Sequence, residues 1–309
     1  MKSRFRPWQL AVALIAICII AIFIARNSRA RVNPSPAEMV TYLPKRDKAS
    51  ITYVDVKALR DSGILDQIAG NTVGEETEYK SFVADTGFDY RTDLDGAIVE
   101  SDGDQQYAVV AGHFDWRSIT TYVSSHGGNC RGGFCKISAS RPNRIVSFYA
   151  IQPNMLALAV SPDEWGASNI KAKSQPPPEQ GSVSPDPMWM MMPGSSFTDV
   201  STMPSGTRQF AKLLDGSEKV VLSLTPQKDR FELTMDVTCK KAEDAVVLRS
   251  QLDAITALLK RIIEKDGQKP NMSDLSGVLT SGTFQRVDRH VVGKWPMDRA
   301  FLHSIGAGS

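Results

Sequence analysis

Histidine and cysteine are scarce, four of each in 309 residues. So few Cys exclude a disulfide-dense miniprotein. The His at 113, 126, 290 and 303 are too scattered to read as a catalytic pair or as a helical metal pair. There is no Gly-x-Ser-x-Gly, no His-Glu-x-x-His and no phosphate loop, so the local signatures of α/β-hydrolases, zinc proteases and nucleotide enzymes are missing. Ser168-Asn169-Ile170-Lys171 matches Ser-x-x-Lys, but no Lys-Thr-Gly follows it, and the penicillin-binding reading fails. A basic body is lacking as well. Six of the 36 Lys and Arg, and none of the 34 Asp and Glu, lie in residues 1–31. The rest carries 30 basic against 34 acidic groups, which argues against nucleic acid as a partner.

Apolar residues make up 42% and charged residues 23%, the balance of a folded chain. The length allows two domains at ~100–200 residues each. Residues 8–25, WQLAVALIAICIIAIFIA, contain no charge. As a helix they would span about 27 Å, close to the ~30 Å hydrocarbon core. Ten are Leu, Ile, Val or Phe, each favouring insertion by ~0.3–0.6 kcal/mol. Ser28-Arg29-Ala30 resembles a cleavage site, but Arg26 and Arg29 separate it from an apolar run longer than a signal-peptide core. The expectation is an uncleaved transmembrane anchor. Lys2, Arg4 and Arg6 precede it, while Arg26, Arg29, Arg31, Lys45 and Arg46 follow. The charge count alone would keep the body inside; a short basic tail before a first apolar segment is the usual export signal. We place the body outside the cytoplasm, on the cytoplasmic membrane.

Residues 171–187, KAKSQPPPEQGSVSPDP, hold five Pro and read as a semi-rigid linker. They divide the body in two. In the first half, strands at 51–54, 97–99, 107–110, 144–151 and 154–160 alternate with a short helix carrying Leu59, Ile64, Leu65 and Ile68 and with helices near 76–86 and 115–126. Asp102-Gly103 is a strong hairpin turn. The second half repeats the order: Leu94-Asp95-Gly96 is echoed by Leu214-Asp215-Gly216. Strands follow at 219–225 and 230–238, a helix at 242–265 and strands near 283–288 and 290–295. In that helix Ala245, Leu248, Leu252, Ile255, Leu259 and Ile262 recur at three-four spacing. The plain reading is a helix covering a sheet, with a dimerising coiled coil as the less favoured one. The expected fold is α+β: an N-terminal transmembrane helix, then two similar domains, each an antiparallel sheet with helices on one face. The expected boundaries are 1–31 for tail and anchor, 32–40 for a juxtamembrane linker, 41–170 and 188–300 for the domains, 171–187 for the linker between them and 301–309 for a tail.

Candidates for chemistry are few. His126, Cys130 and Cys135 sit in HGGNCRGGFC, whose spacing fits no common zinc site. Across a hairpin turning at Gly132-Gly133 the two Cys would lie close enough for a disulfide; free thiols and a metal site are the other readings. Cys239 ends a strand and reads as core. Asp89, Asp93 and Asp95 form an acidic loop. An EF-hand alignment fails, because it puts Arg91 at the first ligand position and Asp102 at the last. Met188-Trp189-Met190-Met191-Met192 reads as a buried strand before a copper site. No cofactor, catalytic residue or metal ligand is expected.

The stretches YLPKRDKASITYVDVKALRDSG, TGFDYRTDLDG and AVVAGHFD resemble uncharacterised bacterial membrane-anchored exported proteins with duplicated α+β domains. There a strand with Tyr-Val-Asp leads into a Leu-Arg helix, as Tyr53-Val54-Asp55 and Leu59-Arg60 do here. A turn like Thr86-Gly87-Phe88-Asp89 then leads to Asp93-Leu94-Asp95. The likeness covers about residues 41–115. It implies export and fold, and no activity. The functional expectation is a binding module in the cell envelope, held in the membrane by residues 8–25 and open to an envelope protein partner. An envelope enzyme with its site between the domains and a metal-responsive module are the alternatives.

Overall fold

The computed structural model describes residues 34–301, apart from 45, 67–76, 140–141, 173–182, 202–204, 228–229, 266–269 and 272–273. The apolar run 8–25, most of the Pro-rich stretch and His303 lie outside the described residues. Among the described residues no helix is long and apolar enough to cross a membrane.

The chain opens with a short helix α1 (Pro36–Val40), capped by the Ser35 hydroxyl on the Glu38 N–H. Strand β1 (Ser50–Val54) leads through the Asp55 cap into α2 (Val56–Asp61). Helices α3 (Thr77–Thr86) and α4 (Tyr90–Asp93) precede the hairpin β2 (Leu94–Asp102) and β3 (Gln105–Gly112). Its turn takes Gly103 at φ +55°, a conformation open to glycine. Then come α5 (Trp116–Ser125), β4 (Asn129–Arg131), β5 (Phe134–Ser138), β6 (Ile145–Gln152) and β7 (Met155–Ser161). The second part holds β8 (Met188–Pro193), α6 (Ser205–Leu214), β9 (Lys219–Pro226) and β10 (Arg230–Thr238). It ends with α7 (Ala242–Lys265), α8 (Leu275–Thr280), β11 (Thr283–Val287) and β12 (His290–Asp298).

These twelve strands form one antiparallel sheet in the order β11-β12-β10-β9-β8-β1-β2-β3-β7-β6-β5-β4. This corrects the expectation of two domains with a sheet each. The repeated element order is visible: β1-β2-β3-β7-β6 and β8-β9-β10-β12-β11 run through the same permutation. However, the two runs are joined edge to edge, because β8 pairs with β1 over Ile51↔Met191, Thr52↔Met190, Tyr53↔Trp189 and Val54↔Met188. Each five-strand run has its first strand at an edge, with a row of unpaired N–H and C=O groups. Pairing the two edges satisfies both rows. From Ser35 onward the chain is one compact unit. The stretch read as a juxtamembrane linker contains α1, whose Met39 and Val40 are buried.

Register decides which side chains share a face, since opposed residues point the same way. One row crosses the whole sheet: Phe284, Gly293, Met235, Leu222, Met190, Thr52, Val99, Ala108, Leu158, Phe148, Cys135 and Cys130. Helices α2, α6, α7 and α8 cover one end of this face, packing Leu59, Phe210, Leu248, Leu252 and Val278 with Val220, Phe231 and Trp295. Helix α5 covers the other end through Ile119 and Val123. The opposite face carries a third cluster, where Met39, Val40 and Leu43 join Tyr53, Ile98, Val109, Ala157 and Trp189. Helices therefore lie on both faces, α1 and the 3-10 turn Gly166–Asn169 being opposite the others, which corrects the expectation of helices on one face of each sheet.

Candidate functional site: an apolar cavity beneath helix α5

Helix α5 begins at Asp115, whose carboxylate accepts from the N–H groups of Arg117 and Ser118. It runs ten residues, about 15 Å at ~1.5 Å per residue, whereas α7, its counterpart in the repeated order, runs 24. The shorter helix leaves part of its apolar sheet face without a lid. Beneath it lies a cavity of about 340 Å³ into which no polar atom faces. The sheet contributes Val110, Ile137, Val146, Phe148, Leu156 and Leu158; α5 contributes Trp116, Ile119, Tyr122 and Val123. Phe82 of α3, with Phe88 and Phe114 from the flanking turns, closes the side.

The aromatic wall is held by ring-on-ring contacts. Phe82 meets Tyr122 edge to face with centroids 5.1 Å apart, and Phe88 stacks on Phe114 at 5.5 Å. Tyr122 also stacks on His126 at 4.0 Å. The Trp116 indole N–H donates to the Pro153 carbonyl at 3.2 Å, which leaves its apolar body free to line the space. Gly128 sits against this wall. A Cβ there would come within 2.5 Å of Val123 Cγ1 and 2.7 Å of the Lys136 carbonyl, so the hairpin after α5 can approach the helix only without a side chain. Because none of the lining residues turns a polar atom into the space, the cavity can hold an apolar molecule and is not built to move a proton.

The sequence candidates fall around it in different ways. Cys130 and Cys135 face each other across the β4–β5 hairpin and form a disulfide, with Cα atoms 4.0 Å apart. Cys135 is buried and packs with Ile119, Val123 and Phe148, so the bridge backs the cavity wall. The acidic loop is not gathered into a site. Asp89 Oδ1 accepts from the Tyr79 hydroxyl and the Arg91 N–H, Asp93 Oδ2 accepts from the Asp89 N–H, and Asp95 faces Arg60 at 3.6 Å. Among the described residues no group of three or more His, Cys, Asp or Glu is placed to hold a metal ion. Met188–Met192 alternate across the faces of β8, Trp189 and Met191 on one side and Met188, Met190 and Met192 on the other, where Met188 and Met192 pack against the hydrophobic core. Cys239 is buried and His290 pairs with Asp236 at 2.8 Å.

A second cleft of about 300 Å³ lies where β1 meets β8 and is lined by Tyr53, Asp55, Ser184 and Asp186. Its acids serve the fold. Asp55 caps the Ala58 N–H at 2.8 Å. Burial alone would raise the Asp186 carboxyl, but donation from Ser223, Thr225 and Ser184 outweighs it and holds it below the usual range. Burial first, then the Asp55 charge, raises the Tyr53 hydroxyl well above its ordinary value. At neutral pH the acid stays ionised and the phenol neutral, so this cleft offers no pair poised to exchange a proton.

None of the cavity residues stood out in the sequence. The available signal was density: eight of the 24 Phe, Trp and Tyr fall between residues 79 and 122.

No family model matches the chain, and no curated protein matches it. Among solved structures, three crystal forms of TP0453 are similar at 10% identity. Form I aligns over 87% of this chain and 96% of that one with a TM-score of 0.49. Form III aligns over 90% and 100% at 0.47, and form IV over 87% and 95% at 0.44. Likenesses at this level carry no inference about what the chain does.

Proposed function

We propose that the protein is a single-pass, membrane-anchored binding module of the cell envelope whose body takes up a small apolar molecule in the cavity beneath α5. The cavity carries the reading. Its volume of about 340 Å³ falls within the ~300–1,000 Å³ of ligand sites, and a purely apolar lining leaves a cavity dry and receptive to apolar guests. With no polar atom facing the space, the cavity selects against charged or hydrogen-bonding ligands, which would lose their hydration without compensation. The uncharged run at 8–25 supports the anchor, and the Cys130–Cys135 bridge suits an oxidising compartment outside the cytoplasm.

The test is a titration of the full-length chain in lipid nanodiscs with the neutral fluorophore N-phenyl-1-naphthylamine, with empty nanodiscs as the blank. A saturable component is expected. Val146→Phe and Leu158→Phe, which fill the cavity, should abolish it while the circular dichroism spectrum is kept. A saturable signal that both filled variants retain would overturn the reading.

A further inference from the structure

Helix α7 carries a surface that the cavity does not use. It docks on the sheet through Ala245, Leu248 and Leu252, and a second stripe runs beside this face. Val247, Leu258 and Ile262 are 55%, 53% and 48% exposed. At ~100° per residue, they fall with Gln251 and Ala254 within about 80° of arc. The four-three-four steps from Val247 to Leu258 follow a narrow coiled-coil seam, Ile262 lies one further four-residue step along the same face, and Val247 to Ile262 covers about 22 Å.

The flanking charges identify the occupant. Within the helix, the charged residues lying within about 60° of the stripe's axis are Glu243 and Asp244 at its N-terminal end and Arg261 and Lys265 at its C-terminal end; Glu264 points away from the stripe, and Lys240 and Lys241 precede the helix. Arg249 lies on the far side of the helix and is paired there with Asp253 at 3.4 Å. A parallel copy would set acid on acid and base on base. An antiparallel copy sets each acidic end on the partner's basic end, twice by the two-fold axis. Gln251 gives the seam one polar position, the kind of residue that specifies register. We infer that two copies of this protein associate through an antiparallel α7–α7 seam centred near Ala254. The inference is independent of the cavity and stands or falls apart from it.

The test is sedimentation equilibrium of the full-length chain in a density-matched nonionic detergent at tens of micromolar protein. A dimer is expected. Leu258→Lys with Ile262→Lys changes only exposed positions and should weaken the dimer more than tenfold. One chain carrying Glu243→Lys and Asp244→Lys, and another carrying Arg261→Glu and Lys265→Glu, should each be monomeric alone and dimeric when mixed. A monomeric wild type, or a dimer that the Lys substitutions leave intact, overturns the seam. Failure of the mixed chains to pair overturns its antiparallel sense.

Discussion

Glu100 offers a direct measurement of burial in this fold. It lies on β2 between Ile51 of β1 and Tyr107 of β3, 1% exposed, and its Oε1 has no hydrogen-bond partner among the described residues. Burial pushes its carboxyl from 4.5 up to about 7, against the opposing charge of Arg46 and with a smaller push from Asp102. The folded protein therefore holds this proton more tightly than the unfolded chain does. Between pH 4.5 and 7 stability falls as pH rises. The cost is absent below that window and complete above it. At ~1.36 kcal/mol per pKa unit it reaches about 3 kcal/mol at pH 8 and stays under about 1 kcal/mol at pH 5. Glu100→Gln removes the charge and nearly preserves the shape. In urea unfolding of the full-length protein in nonionic detergent, followed by tryptophan fluorescence, the variant should exceed the wild type by about 2–3 kcal/mol at pH 8 and by less than about 1 kcal/mol at pH 5. The same difference at both pH values would show that Glu100 is not held protonated by burial, and the reasoning would fail.

Three further outcomes are expected. Trp189→Ala removes a 2% exposed ring that meets Tyr53 at 5.7 Å across the β8–β1 pairing. It should cost about 3–5 kcal/mol and shift one cooperative transition, whereas two transitions with only one displaced would argue against a continuous sheet. Cys130→Ala with Cys135→Ala, or reduction with dithiothreitol, should cost roughly 2 kcal/mol on the chain-entropy account of so short a loop, read as a lower urea midpoint; an unchanged midpoint would show that the bridge contributes nothing to stability. A reporter fused after Ser309 that works only outside the cytoplasm should be active, and a silent but expressed fusion would place the body inside.

The parts legible in the sequence are those whose cause is local. Helix α7 was readable to its ends because 24 residues show the three-four recurrence of Leu248, Leu252, Ile255 and Leu259 many times over. The β2–β3 hairpin was readable because Asp102-Gly103 supplies a turn conformation that few residues adopt. Facing Cys130 and Cys135 followed from Gly132-Gly133 between them, both with positive φ. Some helices escaped, among them α1 and α8, of five and six residues, which show too little period to register. The acidic loop was visible as composition, but only the structure shows Asp89, Asp93 and Asp95 bonded to their own neighbours instead of aimed at a ligand.

By itself the sequence determined the uncharged run at 8–25, the identity and order of most helices and strands, and the repetition of that order across the Pro-rich stretch. Each of these depends on residues within a turn, a strand or a helix of one another. The tertiary structure alone decided that the two runs share one sheet, since Tyr53 and Trp189 are 136 residues apart and nothing in either strand names its partner. It also decided the cavity. An unfilled volume is a difference between how much apolar face the sheet presents and how much α5 covers, and that difference exists only once the strands lie side by side.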